Sequence, residues 1–227
     1  MWLILIVLLL VLVFAPTLWV RWVMRAHSDE ISGMPGTGGE LAQHLLQKYD
    51  VKGVGVEATQ AGDHYDPAAK MVRLSESNFE GKSLTAVAIA AHEVGHALQD
   101  HLGDKHLAAR TRLAPLADRI ARISSAAIWL APVVGLLTRH PIPFSGLILI
   151  GMSGLVARML VHLVTLPTEW DASFGKALPV LEQGQYIAPG EEHTIRRILR
   201  AAALTYFAAA LADVLNLFRW AALLLRR

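Results

Sequence analysis

The chain has no cysteine. Disulfides, thiol nucleophiles and cysteine-held structural zinc are therefore excluded, and any metal site must be built from His, Asp and Glu. Charge is scarce too. Asp, Glu, Lys and Arg make up 18% of the 227 residues and aromatics only 7%, whereas soluble domains carry about 25% charged residues. A net charge of +2, scattered along the chain, leaves no basic stripe of the kind a nucleic-acid partner requires. What fills the space is apolar, at 54% of residues, which points toward the bilayer.

Long hydrophobic runs account for that excess. Trp2 to Val20 is almost unbroken, closed by Arg21 and Arg25, with Trp2, Trp19 and Trp22 at its ends. About 20 such residues cross the hydrocarbon core, and Trp favours the interface. No basic residue precedes the run and no small-x-small site follows it, so it reads as an anchor and not a cleaved signal peptide. Two further segments, 124–137 and 142–166, flank the break Thr138-Arg139-His140-Pro141 and read as antiparallel spans joined by a tight turn. Pro132 marks the first, while Arg158 and His162, four apart, imply an inward-facing stripe on the second. A last apolar segment, 201–225, ends in Arg226-Arg227 and reads as a fourth span, although Asp213, Asn216 and Arg219 also suit a buried or amphipathic helix. Four spans put segments 21–123 and 167–200 on one side. Arg21, Arg25, Arg110, Arg112, Arg119, Arg122, Lys176, Arg196, Arg197 and Arg200 lie there, which predicts that side to be cytoplasmic.

Between the anchor and the paired spans the pattern is globular. Thr37-Gly38-Gly39-Glu40 is a capping box that opens a helix with Leu41, Leu45, Leu46 and Tyr49 on one face. Val51, Val54 and Val56 read as a short strand, His64-Tyr65-Asp66-Pro67 as a turn, and 70–74 as a second strand, together a small hairpin or sheet edge. Ser83 caps a helix that is apolar all round from Leu84 to Ala91, the pattern of an element buried on every side.

Polar residues on such a helix need a reason, and His92-Glu93-Val94-Gly95-His96 supplies one. Two histidines four apart project from one face and can share one ion, and a carboxylate directly after the first can take a proton from water at the metal. With 10 histidines in the chain, about 2% of random arrangements would contain this motif, so its buried setting adds weight. Zinc would polarise a substrate carbonyl and activate water at neutral pH, with Glu93 as general base. A catalytic site needs a third ligand and an open fourth position. Thr168-Glu169-Trp170-Asp171 follows the second apolar segment. Pro167 predicts a helix start that puts Glu169 in the first turn as the preferred ligand, with Asp171 as the alternative or as a partner of a ligand histidine. His101, His106 and His193 are less suited. Tyr65, His193 and Arg197 are the candidates for stabilising an oxyanion. The competing reading is a non-catalytic, zinc-stabilised membrane scaffold, for which Glu93 has no use.

Asp63-His64-Tyr65-Asp66-Pro67, Val72-Arg73-Leu74-Ser75, Ala90 to Gln99 across the motif, and Glu169-x-Asp171-Ala172-Ser173 together resemble the YugP-like neutral zinc metallopeptidases of bacterial membranes, and more distantly the HtpX and Ste24-type proteases. The resemblance covers most of the chain. It implies a zincin-like endopeptidase of the bacterial plasma (inner) membrane, multi-pass, with one Zn2+ per chain held by His92, His96 and Glu169, cutting membrane-associated or unfolded polypeptides. It also implies that the strand ending at Leu74-Ser75 flanks the cleft and pairs with extended substrate. The distant relatives carry Asp four residues after the ligand Glu, where this chain has Ser173. The expected organisation is mainly α with a small β-sheet edge and about four transmembrane helices. An anchor occupies 1–22, a catalytic domain 23–123, a helix pair 124–166, a third-ligand segment 167–200 and a last span 201–227.

Overall fold

A computed structural model describes residues 2–225. The chain divides into two compact units. One comprises Thr17–Ala108 and Leu166–Thr205, and the other Ala109–Thr165 with the flanking segments up to Pro16 and from Tyr206.

In the first unit the capping box forms as read. Thr37 Oγ1 accepts from the Glu40 amide (3.2 Å) and Glu40 returns a carboxylate oxygen to the Thr37 amide (2.8 Å), starting helix α2, Gly38–Lys48. The sheet is larger than a hairpin and differently wired. Strands β1 (Gly55–Thr59), β2 (His64–Asp66) and β3 (Met71–Ser75) lie in the order β1-β3-β2, with β1 parallel and β2 antiparallel to β3. The expected turn at 64–67 is therefore mostly strand, because Tyr65 is buried and holds β2 inward. The turn follows it: Asp66 Oδ1 accepts from the amides of Ala68 and Ala69, the side-chain turn Asp favours. Those two amides and the Arg73 guanidinium outweigh the cost of partial burial and hold the Asp66 carboxyl below its usual value. Val51 and Val54 lie outside β1, since the strand begins at Gly55.

A short helix α3, Glu76–Phe79, leads to α4, Leu84–His101, where Ser83 Oγ accepts from the Ala86 amide. Every side chain of α4 from Leu84 to Gln99 is buried. Around it, Leu45 from α2, Val72 and Leu74 from β3, and Leu181, Ile195, Ile198 and Leu199 from later helices form one core. Burying large side chains of this kind stabilises by roughly 1.5–3 kcal/mol each, which offsets the polar motif enclosed among them.

Most of the remaining helices are long. Helix α1 spans Trp2–Ala26, α5 Lys105–Thr138, α6 Pro141–Trp170, α7 Leu178–Gln183, α8 Glu192–Ala203 and α9 Thr205–Leu225. A seven-residue π-helical stretch, Asp171–Ala177, connects α6 to α7. Among the described residues three helical stretches are long and apolar enough to cross a membrane, Lys105–Thr138, Pro141–Gln183 and Glu192–Ala222. The anchor expected at 1–22 is helical as α1, but most of its side chains, like Arg226 and Arg227, lie outside the described residues. The sequence placed a helix start at Pro167 and a boundary at residue 124. Instead α6 continues through Pro167 and α5 is one helix from Lys105. An interior proline forfeits one N–H bond, and burial of Ala172, Leu178 and Leu181 on the continuation of this helix offsets it. Residues 201–203 belong to buried α8, so the last apolar helix begins at Thr205.

Within the second unit α5 and α6 are antiparallel and pack through small residues. A side chain at Gly154 would overlap Ser124, one at Gly151 would overlap Ile128, and one at Gly135 would meet Phe144. This is how apolar helices approach closely without a hydrophobic driving force. Their outer faces expose Trp129 (82%), Leu136 and Ile142, a surface suited to lipid. In this register Arg158 shares a cavity with Asp118 and Arg122. It is therefore level with the basic end of α5 and not with its apolar middle. Arg158 and His162 both face Asp213 of α9, at 3.6 and 3.5 Å, which accounts for the stripe they form.

Candidate metal centre

Three side chains converge. His92 and His96 stand one turn apart on α4, with ring centroids 4.8 Å apart and planes at 77°. Glu169, from the last turn of α6, directs Oε2 to both Nε2 atoms, at 3.3 Å from His92 and 3.4 Å from His96. All three are nearly inaccessible, at 4%, 3% and 2% exposure. Their donor atoms lie within 4.8 Å of one another, the only group of this kind among the described residues. Glu93, next to the first histidine, is also buried.

The sequence separated Glu169 from the histidines by more than seventy positions, and α6 closes that gap. The first-turn setting assigned to Glu169 does not occur, because the helix enters from upstream. Glu169 thus faces the two imidazoles at the end of α6 and has no helix N-terminus beside it. Asp171 lies outside the converging group. Its Oδ2 accepts from Gln99 Nε2 at 2.9 Å and faces Lys176 at 3.3 Å.

A second layer holds the histidines. Ser173 Oγ lies 3.0 Å from His92 Nδ1 and 3.1 Å from the Leu199 carbonyl. Gln99 Oε1 lies 2.9 Å from His96 Nδ1, and Gln99 Nε2 donates to the Thr168 carbonyl at 2.9 Å. Gln99 was missed, although a buried amide three positions beyond His96 on an all-apolar helix is a signal in itself. The Leu199 carbonyl carries none.

The oxyanion candidates are engaged elsewhere. Tyr65 donates to Asp100 Oδ2 at 2.5 Å, where Lys70 also donates, and Arg197 stacks on Trp22, 4.7 Å from its ring. His193 is exposed. β3 lies between β1 and β2 over Met71–Arg73, whereas at Leu74 and Ser75 it pairs with β1 alone, and β1 and β2 are the outer strands of the sheet. Among them, β2 is the strand tied to α4 through Tyr65 and Asp100.

A family model described as "Putative neutral zinc metallopeptidase" matches residues 2–225. The chain is 31% identical over 217 residues to "Putative membrane protease YugP" of Bacillus subtilis (strain 168), covering 89% of this chain and 88% of that one. No solved structure matches it. With the family model spanning nearly its whole length and one relative this similar end to end, the chain belongs to the neutral zinc metallopeptidase family.

Proposed function

We propose that the chain is a membrane-bound zinc endopeptidase that hydrolyses membrane-associated or unfolded polypeptides, with a zincin-like catalytic domain. His92, His96 and Glu169 would hold one zinc ion and Glu93 would act as general base. The observation that carries this reading is the convergence of two imidazole nitrogens and one carboxylate oxygen in a buried site. The donor set fits zinc. Without cysteine, two nitrogens and one oxygen are the ligands of a catalytic site, which keeps a fourth position open.

Bound zinc would supply electrophilic polarisation of the scissile carbonyl and acidification of water. The chain's own residues do the rest. Glu93 follows the first ligand, where its carboxylate takes the proton of the attacking water and returns it to the leaving amine. The unpaired edge of β2, tied to the motif helix, suits an extended peptide backbone. The three membrane-length helices, together with α1, support a multi-pass protein, and the clustered arginines support a cytoplasmic catalytic domain.

Zinc analysis and an unfolded-protein cleavage assay on wild-type and Glu93→Gln protein test the reading. Full zinc content with cleavage lost is expected. Full zinc content with no cleavage by the wild type would instead favour the zinc-stabilised scaffold, and cleavage unchanged in Glu93→Gln would remove Glu93 as the base.

A further inference from the structure

The two histidines meet partners of different chemistry, and those partners dictate where each imidazole proton sits. The Leu199 carbonyl can only accept, so the single hydroxyl proton of Ser173 points to it, at 3.1 Å. Ser173 Oγ must then accept at 3.0 Å from His92 Nδ1, which carries the hydrogen. Gln99 Nε2 faces two acceptors, the Thr168 carbonyl and Asp171 Oδ2, both at 2.9 Å. Those contacts fix the orientation of the amide and turn its oxygen to His96 Nδ1 at 2.9 Å. Each neutral ring therefore keeps its lone pair on Nε2, the atom that faces Glu169 Oε2. Three lone pairs meeting in a buried site repel one another unless a cation lies between them.

We propose that Ser173 and Gln99 are positioning residues that select the metal-binding tautomer of His92 and His96. They act through two unlike relays, one ending on a backbone carbonyl and the other on the Asp171 carboxylate. This rests on the zinc-peptidase reading and adds to it a division of labour. His92 is steadied by a neutral chain whose anchor, Leu199, belongs to α8, so the seating of α8 bears on the metal. His96 is steadied by a chain ending in a charge. The π-helical stretch serves both relays, because Asp171 and Ser173 flank Ala172, which packs directly under α4. Ser173 is wholly buried and Gln99 nearly so.

The test measures zinc affinity of the purified full-length protein by competition with a chromogenic chelator, and thermal unfolding with and without zinc. Ser173→Ala and Gln99→Met should each weaken zinc binding about 10- to 100-fold, the range for losing a partner of a ligand histidine. Zinc-free unfolding temperatures should stay near wild type. In cobalt-loaded protein the visible absorption bands of Ser173→Ala should shift. Wild-type zinc affinity in both Ser173→Ala and Gln99→Met overturns the proposal. So does an equal loss of stability with and without zinc, since that marks a packing role only. A wild-type protein that takes up no zinc overturns the peptidase reading as well, whereas zinc-binding wild type with unaffected variants overturns only the positioning role.

Discussion

Gly95 lies against the Ala172 carbonyl, so close that a Cβ on Gly95 would stand 2.6 Å from that oxygen. A glycine inside a helix costs about 1 kcal/mol relative to alanine. The cost is accepted here because the backbone beside Ser173 must come this near for its hydroxyl to reach His92.

Gly95→Ala therefore sets two effects against each other. Helix propensity favours alanine by about 1 kcal/mol, while overpacking against a backbone oxygen costs about 1–3 kcal/mol. The second should win, because the obstructing atom belongs to a helix and not to a flexible side chain. Net destabilisation by denaturant unfolding, with weakened zinc binding, is the expected outcome.

Removing a ligand should empty the site without dismantling the fold. His92→Ala and Glu169→Gln are each expected to reduce zinc to a small fraction of one equivalent by elemental analysis. Chelation of the wild type should lower its unfolding temperature, since a ligand bound at 100 times its Kd contributes about 2.7 kcal/mol. The same chelator should leave the unfolding of His92→Ala unchanged.

Tyr65 should give the first unit an alkaline limit. Burial, then the hydrogen bond to Asp100 and the nearby Asp100 charge, push its hydroxyl above the ordinary value of 10.0. A group whose folded-state value is raised contributes stability that is full below its unfolded value and is lost as pH rises. Denaturant midpoints should hold up to about pH 10 and fall beyond it. Tyr65→Phe should be destabilised near neutral pH by about 1.5–3 kcal/mol, the worth of a hydrogen bond to a charged group, and should show less of the alkaline fall.

On α5, Trp129 is the most exposed of the large apolar side chains among the described residues. Trp129→Arg should impair membrane insertion, since an arginine at the centre of a spanning helix costs about 2.5–3.5 kcal/mol on insertion scales. Carbonate extraction of membranes should move part of the variant into the soluble fraction while the wild type stays in the pellet. Equal retention of both would place Trp129 outside the hydrocarbon.

Much of the site was legible because its chemistry is local. His92, Glu93 and His96 share one helix, and helical periodicity alone puts the two imidazoles on one face. Ser83 and the Thr37–Glu40 box were readable for the same reason, since a cap is satisfied within three residues. The strand reading faltered where pairing is not local. The parallel β1–β3 ladder joins residues 16 apart, and nothing in a run of alternating residues says which neighbour it will meet. Pro167 misled because a proline signal is a local cost, and here tertiary burial exceeds it.

Composition and periodicity by themselves determined that the chain is rich in apolar helices, that any metal site must be built from His and carboxylate, and which two histidines and which adjacent carboxylate lie together on one helix. These depend on residue type and on spacing within one element. Only the tertiary structure decided that Glu169 and not Asp171 closes the group, and that Ser173 and Gln99 stand behind the rings. It alone also set Arg158 level with the basic end of α5. Each of these depends on the approach of elements distant in the chain, which packing of the whole core sets and no local pattern encodes.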